Sequence, residues 1–171
     1  MAESPTPDGE QQPYTVVAVD PGYRNLAICV ATIRQSADST EVRFNVQLVD
    51  VIPNKANPTS DDLFIAYRSF CIENAPIFRA ARRIVVETQM HSKFIMLGTI
   101  LRTLYFDTVV MLHPRTLIAT FRLPTKRAPK KKATHQLVEQ LYPGLVPRGG
   151  TKVDDICDSV LMAHWAAFVQ K

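Results

Sequence analysis

At 171 residues the chain has the length of one domain, large enough to bury a core without staples. Apolar residues make up 46% and charged ones 21%, the ordinary balance of a globular protein, and no apolar run approaches the roughly 20 residues of a membrane span. The net charge is only +4 but uneven: Arg122, Lys126, Arg127, Lys130, Lys131 and Lys132 follow one another with no acid between them, which suits either a polyanion, nucleic acid first, or a solvated loop.

The first thirteen residues, "MAESPTPDGEQQP", are polar and contain no basic residue, so they predict a disordered leader over 1–13 ahead of one domain over 14–171. Val16–Val19 is a short apolar run that predicts a strand buried on both faces; it ends in Asp20 and a Pro-Gly turn. Asn25–Ile33 predicts a second strand. "EVRFNVQL" alternates strictly and predicts a third, half-exposed one, the three forming an antiparallel meander. "PTSDDLFIAYRSFCI" opens with capping residues and predicts a helix.

"RRIVVETQ" predicts a fourth buried strand, again ending in a carboxylate, Glu87. A helix over about Ser92–Phe106, a fifth strand "TVVML", a helix near Ala133–Leu141 and a last helix over about Asp154–Val169 complete the order β-β-β-α-β-α-β-α-α. This order predicts an α/β fold with a mixed five-stranded sheet, a three-strand meander plus two parallel strands, and helices on both faces. Cys29, Cys71 and Cys157 are odd in number, widely spaced and without a CxxC pair, which predicts reduced thiols in an intracellular, non-secreted protein.

In open α/β sheets ligands gather at the carboxyl ends of the parallel strands. Asp20 and Glu87 end two apolar strands there, and two carboxylates side by side are unfavourable without a cation between them. In the last helix Asp155 and Asp158 are i and i+3, and Asp154 and Asp158 are i and i+4, so all three share one face. Helix capping and the helix dipole account for Asp154 and Asp155, but less well for Asp158, a full turn in. Singly each acid has a structural alternative: a turn for Asp20, a pair with Arg82 or Arg83 for Glu87, a pair with Lys152 for Asp158. Together they form an oxygen-only ligand set suited to Mg²⁺, with Mn²⁺ as substitute, and two such ions about 3.5–4 Å apart cut phosphodiesters.

With Asp at the end of the first strand, Glu at the end of the fourth and Asp-x-x-Asp on the last helix, the chain resembles the retroviral-integrase/RNase H superfamily. "VDPG", "VVET" and "DICDSVLMA" resemble the RuvC-type Holliday junction resolvases, and "DPGYRNLAI", with Asn25 five residues after the Asp, is most similar to the poxvirus and large-DNA-virus resolvases and their fungal mitochondrial cousins. The resemblance covers about residue 14 onward. It implies an RNase H-like nuclease whose metal-binding catalytic acids are Asp20, Glu87, Asp155 and Asp158, with Asp154 as a neighbour. It also implies a catalytic or DNA-contacting lysine just before the penultimate helix, Lys131 or Lys132 here. Where viral relatives have Glu-Gln-Gln this chain has "ETQM", so Thr88 replaces one Gln and Gln89 remains; His91 reads as an exposed loop residue.

The implied activity is Mg²⁺-dependent symmetric cleavage of four-way DNA junctions by a homodimer, in recombination or in resolving replicated viral DNA, with no nucleotide cofactor and no membrane partner. Arg24, Lys126, Arg127, Lys130, Lys131, Lys132, Arg148 and Lys152 are the expected DNA contacts, and the helix over Phe94–Phe106, apolar on more than one face, carries either the candidate dimer interface or ordinary core packing. The lack of a basic N-terminal extension favours a viral or cytoplasmic setting over a mitochondrial one. The alternatives are the same fold acting on flaps, forks or RNA, a non-catalytic DNA-binding module, or an actin-like ATPase fragment. The last requires a second domain and a second glycine-rich phosphate loop.

Overall fold

In the computed structural model, which describes residues 12–53, 55–146 and 152–170, the apolar run after residue 13 becomes β1, Tyr14–Asp20. It pairs antiparallel with β2, Leu26–Gln35, which pairs antiparallel with β3, Thr40–Val49. On its other side β1 pairs in parallel with β4, Ala81–Glu87, and β4 with the short β5, Val109–Leu112. The strand order is β3-β2-β1-β4-β5, the mixed sheet expected from the sequence.

Helices cover both faces because the central strands are apolar on both. Val16 and Ala18 of β1 and Val85 of β4 join a core with α4 (Pro114–Phe121), α5 (Arg127–Leu141) and α6 (Val153–His164), through Leu117, Val138 and Leu161. Val17, Val19, Ile84 and Val86 point the other way. They pack against α1 (Ser60–Glu73), α2 (Ala75–Ala80) and α3 (Ser92–Leu104) through Leu63, Phe78, Leu97 and Leu101. On β3 the alternation gives Val42, Phe44 and Val46 to the α6-side core and leaves Arg43, Asn45 and Gln47 exposed.

The helix boundaries differ from expectation at four places. α2 and α4 are additional short helices; each has Pro in its first turn, where a missing amide donor costs nothing. The basic segment is not a connection leading to a helix at Ala133, because α5 already begins at Arg127. Pro129 falls at its third position, within the first turn, so the lysines that follow it are helical. At the other end α6 stops at His164 and continues as a single π-helical turn, Trp165–Val169.

The turn after β1 is tight. A Cβ on Gly22 would stand 2.8 Å from the carbonyl oxygen of Asn25, so only glycine allows this return into β2. Val51 N donates to the Tyr23 carbonyl (3.0 Å), and the Tyr23 ring stacks on Phe94 of α3 at 5.9 Å, fixing the turn against both neighbours.

Candidate active site

Strand alternation aims Asp20 and Glu87 in one direction. Asp20 continues the Val16–Ala18 side of β1 and Glu87 the Val85 side of β4, so both project toward the sheet face that α6 covers. β1 and β4 are adjacent and parallel, with Val19 level with Val86. The two carboxylates therefore stand together at the rim, and α6, packed across β1, β2, β3 and β4, brings Asp155 and Asp158 within electrostatic reach of Asp20.

The electrostatics of the four acids follow from this proximity. Asp20 is pushed up to about 9, first by burial and then by Glu87, Asp158 and Asp155. Glu87 is raised by burial and Asp158, opposed by Lys130. Burial also raises Asp158 against the pull of Lys130, and raises Asp155 with the help of Asp154 and Asp158. Gln89 bridges Asp20 and Glu87, its Nε2 donating to Asp20 Oδ1 at 3.5 Å and more closely to Glu87 Oε2.

The structural alternatives for the acids are not used. Among the described residues no backbone amide donates to the Asp20 carboxylate, so it does not serve the turn it opens. Arg83 donates to the carbonyls of Ala166 and Gln170 instead of pairing with Glu87, and Arg82 lies over the Tyr14 ring. Asp158 pairs with Lys130 Nζ at 3.3 Å rather than with Lys152, which is exposed at the start of α6.

The three acids of α6 divide between two neighbours. Asp155 and Asp158 enter the field around Asp20, whereas Asp154, at the far side of the helical arc, turns to α5. There it pairs with Lys131 and accepts from His135 Nε2 at 2.8 Å, and its hydrogen bond with Lys131 holds it below the usual carboxylate range. Lys132, the other lysine expected from the resemblance, is exposed. Lys130 is the lysine at the acid cluster, and α5 explains why. Lys130, Thr134 and Val138 are four apart, and the last two are buried, so Lys130 heads the inward stripe. Sequence reasoning favoured Lys131 or Lys132 for the catalytic role, gave Lys130 as a DNA contact without fixing the register of the three lysines, and missed His135 entirely. The i, i+4 pair Lys131–His135 was the available signal. His91 is exposed as expected, but also caps α3 by accepting from Lys93 N.

Of the expected DNA contacts, Arg24, Lys126 and Arg127 are exposed and Arg148 lies outside the described residues. An outward-facing basic row on α5 thus borders the acid cluster.

The chain's architecture is similar to that of Thermus thermophilus RuvC, with TM-score 0.62 and 16% identity over 91% of this chain and 97% of that one. The fold is RuvC's. It is equally similar to the Fowlpox virus resolvase solved with its substrate Holliday junction DNA, at TM-score 0.62 and 14% identity over 91% of this chain and 99% of that one. No family model matches the chain, and no curated protein matches it in sequence. On this fold the chain's own Asp20 and Glu87 lie at the carboxyl ends of β1 and β4, and its Asp155 and Asp158 in the first two turns of α6.

The donor set fits a hard divalent cation: four carboxylates, all partly buried, with no His or Cys among them. Among the described residues no three acids already converge on one point, and the Lys130 ammonium and Gln89 amide stand between them. Four carboxylates so placed cannot all carry charge unless cations join them, which is the requirement a divalent ion meets.

Proposed function

We propose that this chain is a metal-dependent endonuclease that resolves four-way DNA junctions. The observation that carries the reading is the set of four mutually repelling carboxylates at the sheet rim of a RuvC fold, bordered by a basic helix. The Fowlpox virus resolvase, of the same fold, was solved with a Holliday junction, which supports branched DNA as the substrate.

Asp20, Glu87, Asp155 and Asp158 would hold Mg²⁺. When bound, Mg²⁺ supplies charge neutralisation and an acidified water for attack on the phosphodiester. The chain's own residues do the remaining work. Gln89 holds Glu87 and Asp20 in one orientation through its amide. Lys130, tethered to Asp158, presents an ammonium where negative charge develops on the scissile phosphate. Lys126, Arg127 and Lys132, on the exposed surface of α5, hold the strand through its backbone, so binding falls steeply with salt.

Two cuts in one junction require two sites. The α1–α3 side of the molecule carries exposed Phe64, Ile65, Ile72, Ile95, Leu104 and Phe106, which supports a twofold partner there, as the apolar character of the Phe94–Phe106 segment already suggests.

The test uses Mg²⁺ and four substrates: a synthetic four-way junction, a 5′ flap, a linear duplex and an RNA–DNA hybrid. Symmetric nicks on the junction, abolished in Glu87→Gln while junction binding persists, are the expected result. Preferential cutting of the flap or hybrid would replace this reading with the corresponding nuclease.

A further inference from the structure

At the end of the sheet opposite the acids, β1 and β4 begin with an irregularity. Thr15 is level with Ala81 but Val16 with Arg83, so Arg82 is the extra residue of a bulge. In a regular strand two consecutive side chains point to opposite faces. A bulge re-aims one of them. Here Arg82 and Arg83 line the same cavity, with Tyr14, Gln35, Ala167 and Gln170 around them and Val16 also in its wall. Its volume is about 330 Å³.

Both guanidinium groups are fixed in advance by neutral partners. Arg83 Nη1 donates to the carbonyls of Ala166 (2.8 Å) and Gln170 (3.2 Å), the π-helical turn supplying acceptors at the end of the last helix. Arg82 is stacked 4.9 Å from the centre of the Tyr14 ring. Among the described residues no carboxylate pairs with either, and no Asp or Glu lines the cavity. Each arginine therefore keeps charged donors uncommitted, and planar guanidinium forks match the oxygens of phosphate. β1 is seven residues long, which separates this cavity from Asp20 by roughly 20 Å at about 3.3 Å per residue.

We propose that this cavity is a phosphate-binding site, built by the bulge at Arg82 and separate from the acid cluster. Its ligand is a phosphate group, presented by a small phosphomonoester or by the backbone of a nucleic-acid strand. The site does not depend on the nuclease reading, and its test does not use cleavage.

The test is a titration of ¹⁵N-labelled protein, without divalent metal, followed by amide shifts. Three probes are used: inorganic phosphate, deoxyadenosine 5′-monophosphate, and a short single-stranded oligonucleotide without terminal phosphate. Saturable shifts at Tyr14, Gln35, Arg82 and Ala167 are expected with phosphate, weakened about tenfold in Arg82→Gln and less in Arg82→Lys, which keeps the charge but loses the fork. Arg82 is exposed and its substitution leaves Arg83 on its carbonyls, so both variants fold. A response to the two small probes alone assigns a monoester; a response to the oligonucleotide as well assigns a strand backbone. No saturable shift at these residues, shifts equal in Arg82→Gln and wild type, or a response to the oligonucleotide without one to phosphate would overturn the proposal.

Discussion

Replacing Asp20 by Asn should make the metal-free protein more stable and the metal-dependent one inert. Burial and three neighbouring acids raise the Asp20 carboxyl from 3.8 to about 9. In the folded protein it keeps a proton that the unfolded chain has lost, so between those two values folding takes up a proton and stability falls as pH rises. At pH 7 the gap to the unfolded value is 7 − 3.8, or 3.2, and at about 1.36 kcal/mol per pH unit this costs the fold at most about 4 kcal/mol. Asn carries no such cost and retains the size of the protonated carboxyl. Thermal unfolding in chelator should show Asp20→Asn more stable than wild type at pH 8, with the advantage shrinking toward pH 4. Added Mg²⁺ should raise the wild-type midpoint, because ligand binding to the folded state alone stabilises it, and should raise the variant much less. A variant that is destabilised equally at pH 5 and pH 8, or equal Mg²⁺ shifts in both proteins, would refute the account of the cluster.

Lys130→Ala should lower junction cleavage by about 10²–10³-fold with binding reduced only modestly, the scale of losing one donor at a developing oxyanion, whereas Lys132→Ala should affect binding and its salt dependence more than turnover; equal turnover losses in both would remove Lys130 from its assigned role. Gly22→Ala should cost about 1–3 kcal/mol in urea unfolding, since the new methyl meets the Asn25 carbonyl at 2.8 Å and the turn must open; a neutral substitution would show that the turn is looser than described. His164 accepts from or donates to the Tyr142 hydroxyl at 2.5 Å, and burial lowers its proton affinity below the usual 6.5. Its contribution is present above pH 6.5 and is lost as pH falls below it, so His164→Gln should lose less stability than wild type between pH 7.5 and 5.5.

Strand-level features were readable because they rest on short-range patterns. The apolar runs ending in Asp20 and Glu87, and the alternation of Val42, Phe44 and Val46, specify which faces are buried before any partner is known. The nearness of Asp20 to Glu87 followed from the parallel pairing of β1 and β4. The lysine was harder. Which of three consecutive residues faces inward depends on the helical phase, and that phase is set by an origin at Arg127, ahead of a proline that reads as a helix boundary. Asp154 likewise looked equivalent to Asp155, because one turn of a helix places both near Asp158. The family resemblance selects Asp155, and in the fold it is α5 that draws Asp154 aside, through Lys131 and His135. The bulge at Arg82 has no local sequence signal, since it exists only as a mismatch with β1.

The late position of α6 governs how the molecule matures. β1 must wait for β4, more than sixty residues later, before its second edge is paired, and α6, which fills the core with Cys157, Val160, Leu161, Met162 and Ala163, follows later still. Such long-range closure is slow, and during synthesis the earlier segments emerge first. Half of the acid cluster is carried by that same helix, so the groups that complete the core also complete the chemistry. A ribosome-bound chain lacking α6 would expose the apolar underside of its sheet with only Asp20 and Glu87 in place, and under the proposed function the capacity for hydrolysis would appear in the same step as the finished fold.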